Sequence, residues 1–258
     1  MTEAQPVLEI KDLKTYFFFD EGTVRAVDGV TLTLEKGKTL GVVGESGCGK
    51  SVTAQSVLQI VGAGGKIVNG SILYHRPDGT VDLTRYHANS EELRQIRGRD
   101  IAMIFQEPMT AFSPVYTIGR QIAEAITFHE PVSEKEARQR VIELLAKVGI
   151  PRASERVDSY PFELSGGMRQ RAMIAMALAC GPTILMADEP TTALDVTIQA
   201  QILDLLRTLQ AELGTAIMII THNMGVIAEM ADTVAVMYLG KVIEHAPVWQ
   251  LFDHPQHP

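Results

Sequence analysis

Residues 44–51 combine glycines with a lysine and a serine at a spacing that suits phosphate binding. They read Gly-Glu-Ser-Gly-Cys-Gly-Lys-Ser, between an apolar run at 39–43 and a helix-like run that begins at Val52. Glycines so placed let backbone N–H groups turn toward phosphate oxygens at a helix N-terminus. Lys50 would neutralise the β- and γ-phosphates and Ser51 would offer its hydroxyl to Mg²⁺, whereas the alternative is a glycine-rich turn that carries Lys-Ser by chance. The expected nucleotide contacts are Gly44, Glu45, Ser46, Gly47, Cys48, Gly49, Lys50, Ser51 and Val52.

Two adjacent carboxylates, Asp188 and Glu189, follow an apolar run at 184–187 that predicts a buried strand. A carboxylate at the end of such a strand can orient the ligands of Mg²⁺, and its neighbour can polarise a water in line with a γ-phosphate. An Asp-Glu-Pro sequence can also simply end a strand. Because a phosphate loop lies upstream, we interpret Glu189 as the residue that acts on water and Asp188 as the residue that serves the metal.

Gln106 comes directly after the apolar run at 101–105, and His222 comes two residues after the last residue of the apolar run at 216–220. A side-chain amide at Gln106 can contact a metal or a water where the chain turns into the following segment. His222 is expected at the carboxyl ends of the sheet, where ligands bind in open α/β sheets. A lone histidine is more often structural, so its predicted contact with the γ-phosphate depends on the other motifs.

Composition excludes several classes of protein. The chain has 258 residues, a net charge of −8 and 46% hydrophobic residues, which is typical of a globular chain. Because no apolar stretch is long enough to span a bilayer and the N-terminal residues have neither a basic region nor an apolar core, we expect a protein that neither spans a membrane nor is secreted. The net negative charge argues against a nucleic-acid coat, because such binding depends on clustered Lys and Arg. Only two cysteines occur, Cys48 and Cys180. No disulfide framework is therefore expected, and a reducing cytosol fits.

The hydrophobic pattern predicts an α/β chain with a helical insert. Short alternating runs at 7–10 and 30–34, with turns expected at 28–29 and 35–37, indicate antiparallel strands. The helical, turn-rich part at 107–163 includes Ser133 followed by Glu136, a capping box, and an apolar helical face after it. From 183 onward strands and helices alternate, with continuous apolar strands that suit a parallel sheet covered on both faces. The helical face comprises Ala137, Val141, Leu144, Leu145 and Val148.

Taken together, the motifs resemble those of the nucleotide-binding subunit of an ATP-binding-cassette (ABC) transporter, over nearly the whole chain. They are Walker A at 44–51, the glutamine loop at Gln106, the signature at 164–171, Walker B at 184–188 followed by Glu189, the D-loop at 192–195, and the switch histidine His222. Their order and spacing are highly specific. Two small departures are Met168, in place of the glutamine of the broad signature, and Asn223, where aspartate is common. Neither departure removes a catalytic group.

The resemblance implies a P-loop NTPase (RecA-like) core with an antiparallel β subdomain and an inserted α-helical subdomain. In this interpretation 1–106 and 164–258 form the core and 107–163 the insert. It also implies ATP and Mg²⁺ as cofactors, and Phe17 as the aromatic ring that stacks on adenine, with Tyr16 as the alternative. The implied catalytic residues are Lys50, Gln106, Glu189 and His222. The implied metal contacts are Ser51, Gln106 and Asp188. The implied contacts to ATP that is bound by a second ATPase subunit are Ser165, Gly166, Gly167 and Met168, with Asp195 in the D-loop.

The detailed sequences of these motifs resemble those of the ATPase subunits of oligopeptide and dipeptide importers, in the subunit type that carries Ser-Val-Thr after the lysine. This implies a head-to-tail dimer with a second ATPase, which in that family is commonly a paralogue. The dimer would bind two permease subunits at the cytoplasmic face of the membrane and would be served indirectly by an extracellular solute-binding protein. Oligosaccharide or metal-chelate cargo is the alternative. An ABC ATPase outside transport is less favoured, since tandem cassettes, long coiled coils and basic surfaces are not evident. The family's C-terminal extension, which can carry an iron–sulfur cluster, is expected to be absent after Pro258.

Overall fold

The computed structural model describes residues 5–107, 111–192 and 194–257. Its strands are β1 Pro6–Phe19, β2 Gly22–Glu35, β3 Thr39–Val43, β4 Gly65–Arg76, β5 Gly79–Asp82, β6 Ile101–Ile104, β7 Ile184–Asp188, β8 Ala216–Ile220, β9 Thr233–Tyr238 and β10 Lys241–Pro247. Its α-helices are α1 Lys50–Val57, α2 Glu91–Ile96, α3 Ile118–His129, α4 Glu134–Lys147, α5 Ala153–Arg156, α6 Gly166–Leu178, α7 Val196–Leu213, α8 Met224–Met230 and α9 Val248–Asp253. Short 3₁₀ turns lie at Leu83–Arg85 and Pro161–Glu163. Pro108, at the start of the predicted insert, and Ala193, in the D-loop, are outside the described residues.

The described residues form two compact units. One unit is built from the residues up to Arg94 and from Gly214 onward, and the other is Gln95–Leu213. Both units combine strands with helices, so the α/β class predicted from the pattern is confirmed. Within the described ranges, no helix has the length and apolar character needed to cross a membrane.

An antiparallel sheet in the first unit has the strand order β2-β1-β4-β5. The predicted antiparallel strands at 7–10 and 30–34 lie in β1 and β2 of this sheet. Alternate β1 side chains, such as Leu8 and Ile10, are 1% exposed and form the core face. The turn expected at Asp28-Gly29 is wrong, because both residues lie inside β2. Leu13 pairs with Val30 and Lys14 with Asp28, which leaves Gly29 as the extra residue of a β-bulge with φ 91°. An Asp-Gly pair supplies the positive φ that either a turn or a bulge requires.

The parallel strands of the first unit carry the phosphate loop. Here β3 pairs in parallel with β8 on one side and β9 on the other, and β9 pairs antiparallel with β10. Every residue of β3 and β8 is buried, as expected of strands covered on both faces. The loop and α1 follow directly at the carboxyl end of β3, which is where ligands bind in open α/β sheets.

In the second unit β6 and β7 pair in parallel, and most of the remaining chain is helical. Ser133 caps α4 by accepting a hydrogen bond from the backbone N–H of Glu136, which is one half of the predicted capping box. The carboxylate of Glu136 bonds to Arg140, one turn further along α4. Ala137, Val141 and Leu145 are fully buried, so the predicted apolar face of this helix is confirmed. The assignment of 107–163 to a separate insert stays a prediction.

Candidate active site

The phosphate loop approaches its surroundings too closely for side chains at two of its glycines. A Cβ on Gly44 would lie 2.1 Å from the carbonyl oxygen of Met237, and a Cβ on Gly49 would lie 2.2 Å from that of Ala26. Gly49 also has φ 102° and is the N-cap of α1. Both glycines are therefore required by backbone packing as well as by conformation.

Lys50 folds back over the loop that precedes it. Its side-chain nitrogen donates hydrogen bonds to the carbonyl oxygens of Gly44 and Glu45, each at 2.8 Å. The residue is only 6% exposed, whereas Glu45, Ser46 and Gly47 form the exposed tip of the loop. The ammonium group therefore lies against the backbone of the loop that the motif predicts to bind phosphate. Ser51 and Val52 follow in the first turn of α1, both half-buried.

Hydrogen bonds from the backbone and from side-chain hydroxyls hold the phosphate loop and α1 in place. The N–H of Gly240, in the β9–β10 turn, donates to the carbonyl oxygen of Cys48 at 3.0 Å. Thr53 donates its hydroxyl to the carbonyl oxygen of Gly49 at 2.9 Å. At the far end of the helix, the hydroxyls of Thr15 and Ser56 share a buried hydrogen bond of 2.8 Å that ties α1 to β1. The loop is thus held from both sides before any ligand binds.

His222 follows β8 and lines a cavity together with the start of the phosphate loop. The cavity has a volume of about 430 Å³ and includes Gly44, Glu45 and Met224 in its lining. His222 is exposed, so its imidazole can be reached from solvent. Asn223 caps α8, because its side-chain oxygen accepts hydrogen bonds from the N–H groups of Gly225 and Val226. Asn223 therefore provides a good N-cap at a position where aspartate is common, and the sequence motif had not revealed this role.

The two candidate adenine-stacking rings have different partners. Tyr16 donates its hydroxyl to the Asp28 carboxylate at 2.7 Å, and the Arg25 guanidinium lies 5.6 Å from the Tyr16 ring centre. This hydrogen bond raises the pKa of Tyr16 and lowers the pKa of Asp28. Phe17 stacks in parallel on Phe19, with ring centres 6.3 Å apart. Both candidates are half-buried, and the choice of Phe17 stays a prediction.

In the second unit, Glu189 lies at a tight turn directly after β7. Asp188, the last residue of the strand, is 3% exposed. Glu189 adopts φ 47°, which is uncommon for a residue with a side chain. One of its carboxylate oxygens, Oε2, accepts hydrogen bonds from Gln106 Nε2 at 3.1 Å and from Thr192 Oγ1 at 2.8 Å. The structure therefore brings together Gln106 and Glu189, which lie 83 positions apart in the sequence.

The signature segment forms the start of α6, as predicted. Ser165 is the N-cap and accepts a hydrogen bond from the backbone N–H of Met168 at 3.3 Å. Ser165 and Gly166 are exposed, and Gly167 and Met168 are half-buried. The N-terminus of this helix is therefore open to a ligand.

Two further contacts hold the segment that follows Glu189 and the start of α7. The side chain of Gln170, on α6, is 3% exposed and donates to the carbonyl oxygen of Pro190 at 2.5 Å. Asp195 caps α7 by accepting a hydrogen bond from the backbone N–H of Ile198 at 2.9 Å. The sequence motifs contained Gln170 and Thr192, but no periodicity indicated what either side chain would contact.

Comparison with known proteins shows the family of this chain. The ABC transporter family matches residues 27–192. The oligopeptide transport ATP-binding protein AppD of Bacillus subtilis is 52% identical over 253 residues, which cover 98% of this chain and 75% of AppD. The dipeptide transport ATP-binding protein DppD of Bacillus subtilis is 50% identical over 255 residues, covering 98% of this chain and 74% of DppD.

Solved structures show the same fold. The ATP-binding cassette MJ0796, in a dimeric post-hydrolysis state bound to ADP and Pi, superposes with a TM-score of 0.81 at 26% identity. The match covers 93% of this chain and 98% of that one. The P-loop ABC fold predicted from the motifs is thus confirmed. The chain belongs to the ABC transporter family and is one of its ATP-binding proteins that hydrolyse ATP.

Proposed function

We propose that this chain is the subunit that binds and hydrolyses ATP to drive a peptide importer. The observation that carries the ATPase role is the phosphate loop, in which buried Lys50 lies 2.8 Å from two carbonyl oxygens of the loop itself. Relatives at 50–52% identity are named for oligopeptide and dipeptide transport, which supports peptides as the cargo. Oligosaccharides or metal chelates are the alternative cargo for the same ATPase.

The proposed chemistry relies on positioning and charge. Lys50 would exchange its carbonyl partners for phosphate oxygens and stabilise negative charge that develops during transfer. Glu189, held by Gln106 and Thr192, would accept a proton from the attacking water and orient it. His222 would contact the γ-phosphate. Each role needs a side chain held in place before the reaction, because preorganised groups contribute most to phosphoryl transfer.

Mg²⁺ fits the donor atoms that the chain offers. The proposed contacts are the hydroxyl of Ser51, the carboxylate of Asp188 and the side-chain amide of Gln106, and Mg²⁺ prefers such oxygen ligands. Gln106 directs its amide nitrogen to Glu189, so the oxygen at the other end of the amide is the atom suited to a cation. When bound, the ion would offset charge on the β- and γ-phosphates.

The open N-terminus of α6 supports a head-to-tail dimer. A helix N-terminus capped by Ser165 attracts anions, and within one subunit it would duplicate the phosphate site at α1. Ser165, Gly166, Gly167 and Met168 would instead contact the γ-phosphate of ATP bound to a second ATPase subunit, so that ATP binding stabilises the dimer. The dimeric state of the MJ0796 cassette supports this arrangement. Two permease subunits would hold the dimer at the cytoplasmic face of the membrane.

Purification from native membranes through a tag on this chain tests the proposed function. Recovery of two permeases, a second ATPase and a solute-binding protein loaded with peptide is the expected result. A sugar-loaded or chelate-loaded binding protein would keep the ATPase role and change the cargo. Recovery of no permease would contradict a role in transport, and the same purification with an untagged chain controls for nonspecific capture.

A further inference from the structure

Thr192 contacts the proposed catalytic carboxylate through both its backbone and its side chain. Its hydroxyl donates to Glu189 Oε2 at 2.8 Å, and its N–H donates to the Glu189 carbonyl oxygen at 3.2 Å. These two bonds close the turn that follows β7. The turn is unusual because Glu189 adopts φ 47°, a left-handed conformation that costs a residue with a side chain about 1–2 kcal/mol.

We propose that the Thr192 hydroxyl is a positioning device for Glu189, which it holds in the orientation needed to act on water. The inference rests on the proposed function, in which Glu189 polarises the attacking water. A glutamate side chain has several rotatable bonds, so a half-buried carboxylate such as that of Glu189 can adopt more than one orientation. A hydroxyl that donates to a charged oxygen makes one of the stronger hydrogen bonds available and restricts that motion.

Gln106 donates to the same carboxylate oxygen as Thr192. The two donors come from different segments, Gln106 from the end of β6 and Thr192 from the turn after β7. Together they fix the carboxylate at one oxygen from two directions. Thr192 is the better residue for testing how the Glu189 carboxylate is positioned. Gln106 is also assigned to the metal, whereas no other contact is proposed for the Thr192 side chain.

A purely structural role for Thr192 can be separated from positioning by the choice of substitution. Thr192 is exposed, so its side chain contributes little to the core. Thr192→Val keeps the shape and the branched Cβ but removes the donor, whereas Thr192→Ser keeps the donor and loses only a methyl group. Thr192→Ala removes the donor without adding apolar surface and serves as a second test. Thr197→Val makes the same chemical change at an exposed position in the first turn of α7 and is the matched control.

The experiment measures steady-state ATP hydrolysis by the assembled transporter that contains each variant. Thr192→Val and Thr192→Ala should lower kcat about tenfold, as expected for a lost hydrogen bond to a charged group, and leave KM for ATP within about twofold. Thr192→Ser and Thr197→Val should keep kcat within about twofold of the unchanged protein. Glu189→Gln should bind ATP and lose turnover.

The outcomes distinguish the inference from the function on which it rests. If Glu189→Gln abolishes turnover while Thr192→Val and Thr192→Ala keep normal kcat, the role of Thr192 is wrong and the role of Glu189 stands. If Thr192→Ser is as slow as Thr192→Val, or if KM changes instead of kcat, the hydroxyl does not position the carboxylate. Normal turnover by Glu189→Gln would overturn the catalytic role of Glu189 itself.

Discussion

At the scale of single residues, Gly49 shows how the phosphate loop depends on the absence of a side chain. The substitution Gly49→Ala would place a Cβ 2.2 Å from the carbonyl oxygen of Ala26 and would force φ 102° on a residue that disfavours it. The neighbouring backbone cannot yield as a flexible side chain would. We expect a loss of more than about 2 kcal/mol in the free energy of unfolding and a loss of ATP binding.

Gly47→Ala is the matched control for this prediction. Gly47 also has positive φ, at 80°, but a Cβ there would meet nothing within 4 Å. Its cost should stay near the conformational penalty alone, about 1 kcal/mol. Urea unfolding and ATP titration of both variants provide the measurement. Equal losses of stability in the two proteins would show that the close approach to Ala26 does not matter.

At the scale of elements, Gln170 links α6 to the turn that carries Glu189. Its buried amide donates to the carbonyl oxygen of Pro190, directly after Glu189. Gln170→Met keeps the length of the side chain but leaves that carbonyl without its donor, and an unsatisfied buried polar group costs about 1–3 kcal/mol. We expect the free energy of unfolding to fall by that amount and kcat to fall with it, since the turn loses a support.

The exposed Gln201 provides the control for Gln170. Gln201 accepts a hydrogen bond from Arg171 at 2.8 Å on the surface of α7. Gln201→Met should therefore change stability by no more than about 0.5 kcal/mol. Chemical denaturation and steady-state hydrolysis measure both effects. A Gln170→Met protein as stable and as active as Gln201→Met would exclude a supporting role for the Gln170 amide.

The contacts of Gln170 also show where sequence reasoning stops. The phosphate loop and the strand that ends at Asp188 were predictable, because each motif ties residue types to a local backbone geometry. Gln170 and Pro190 meet only through tertiary packing, which no period or spacing encodes. The Asp28-Gly29 pair was misread for a related reason: a bulge and a turn need the same positive φ, and strand pairing decides between them. Local chemistry was thus predictable, whereas its supporting contacts were not.

We expect His129, at the end of α3, to make the second unit less stable in acid. Burial lowers the pKa of His129 below its ordinary value of 6.5, and Nδ1 is buried with no hydrogen-bond partner among the described residues. The charged groups that act on it are Arg99, Asp100 and Glu130, with a backbone hydrogen bond to Arg97. The unfolded chain therefore binds the proton more tightly than the folded protein. The free energy of unfolding should fall as the pH drops from about 6.5 toward the lower folded pKa.

His129→Phe should remove this part of the pH dependence, because phenylalanine fills the site without titrating. The exposed His254 supplies the control, and His254→Phe should keep the slope of the unchanged protein. Urea unfolding at several pH values between about 5 and 7.5 measures the slopes. If the free energy of unfolding of His129→Phe still falls with pH while that of His254→Phe does not, His129 is not the source of the pH dependence.

At the scale of the whole molecule, Gly166 indicates a binding partner outside the chain. A Cβ on Gly166 would meet nothing within 4 Å, and the residue lies in the first turn of α6 without a positive φ. The fold itself therefore does not require glycine there. Gly166→Ala should leave stability unchanged or raise it by up to about 1 kcal/mol, since alanine favours helix more than glycine does.

The same substitution should weaken ATP-dependent dimerisation, because an added methyl group would stand where the partner's γ-phosphate is proposed to dock. The effect is measured by light scattering in a Glu189→Gln background, which should trap the closed dimer when ATP is added. Gly62→Ala is the control, since a Cβ there also meets nothing within 4 Å. Full dimerisation of Gly166→Ala with ATP would mean that the glycine serves no approaching phosphate. A weaker dimer with unimpaired stability would show that this glycine is needed for assembly and not for folding.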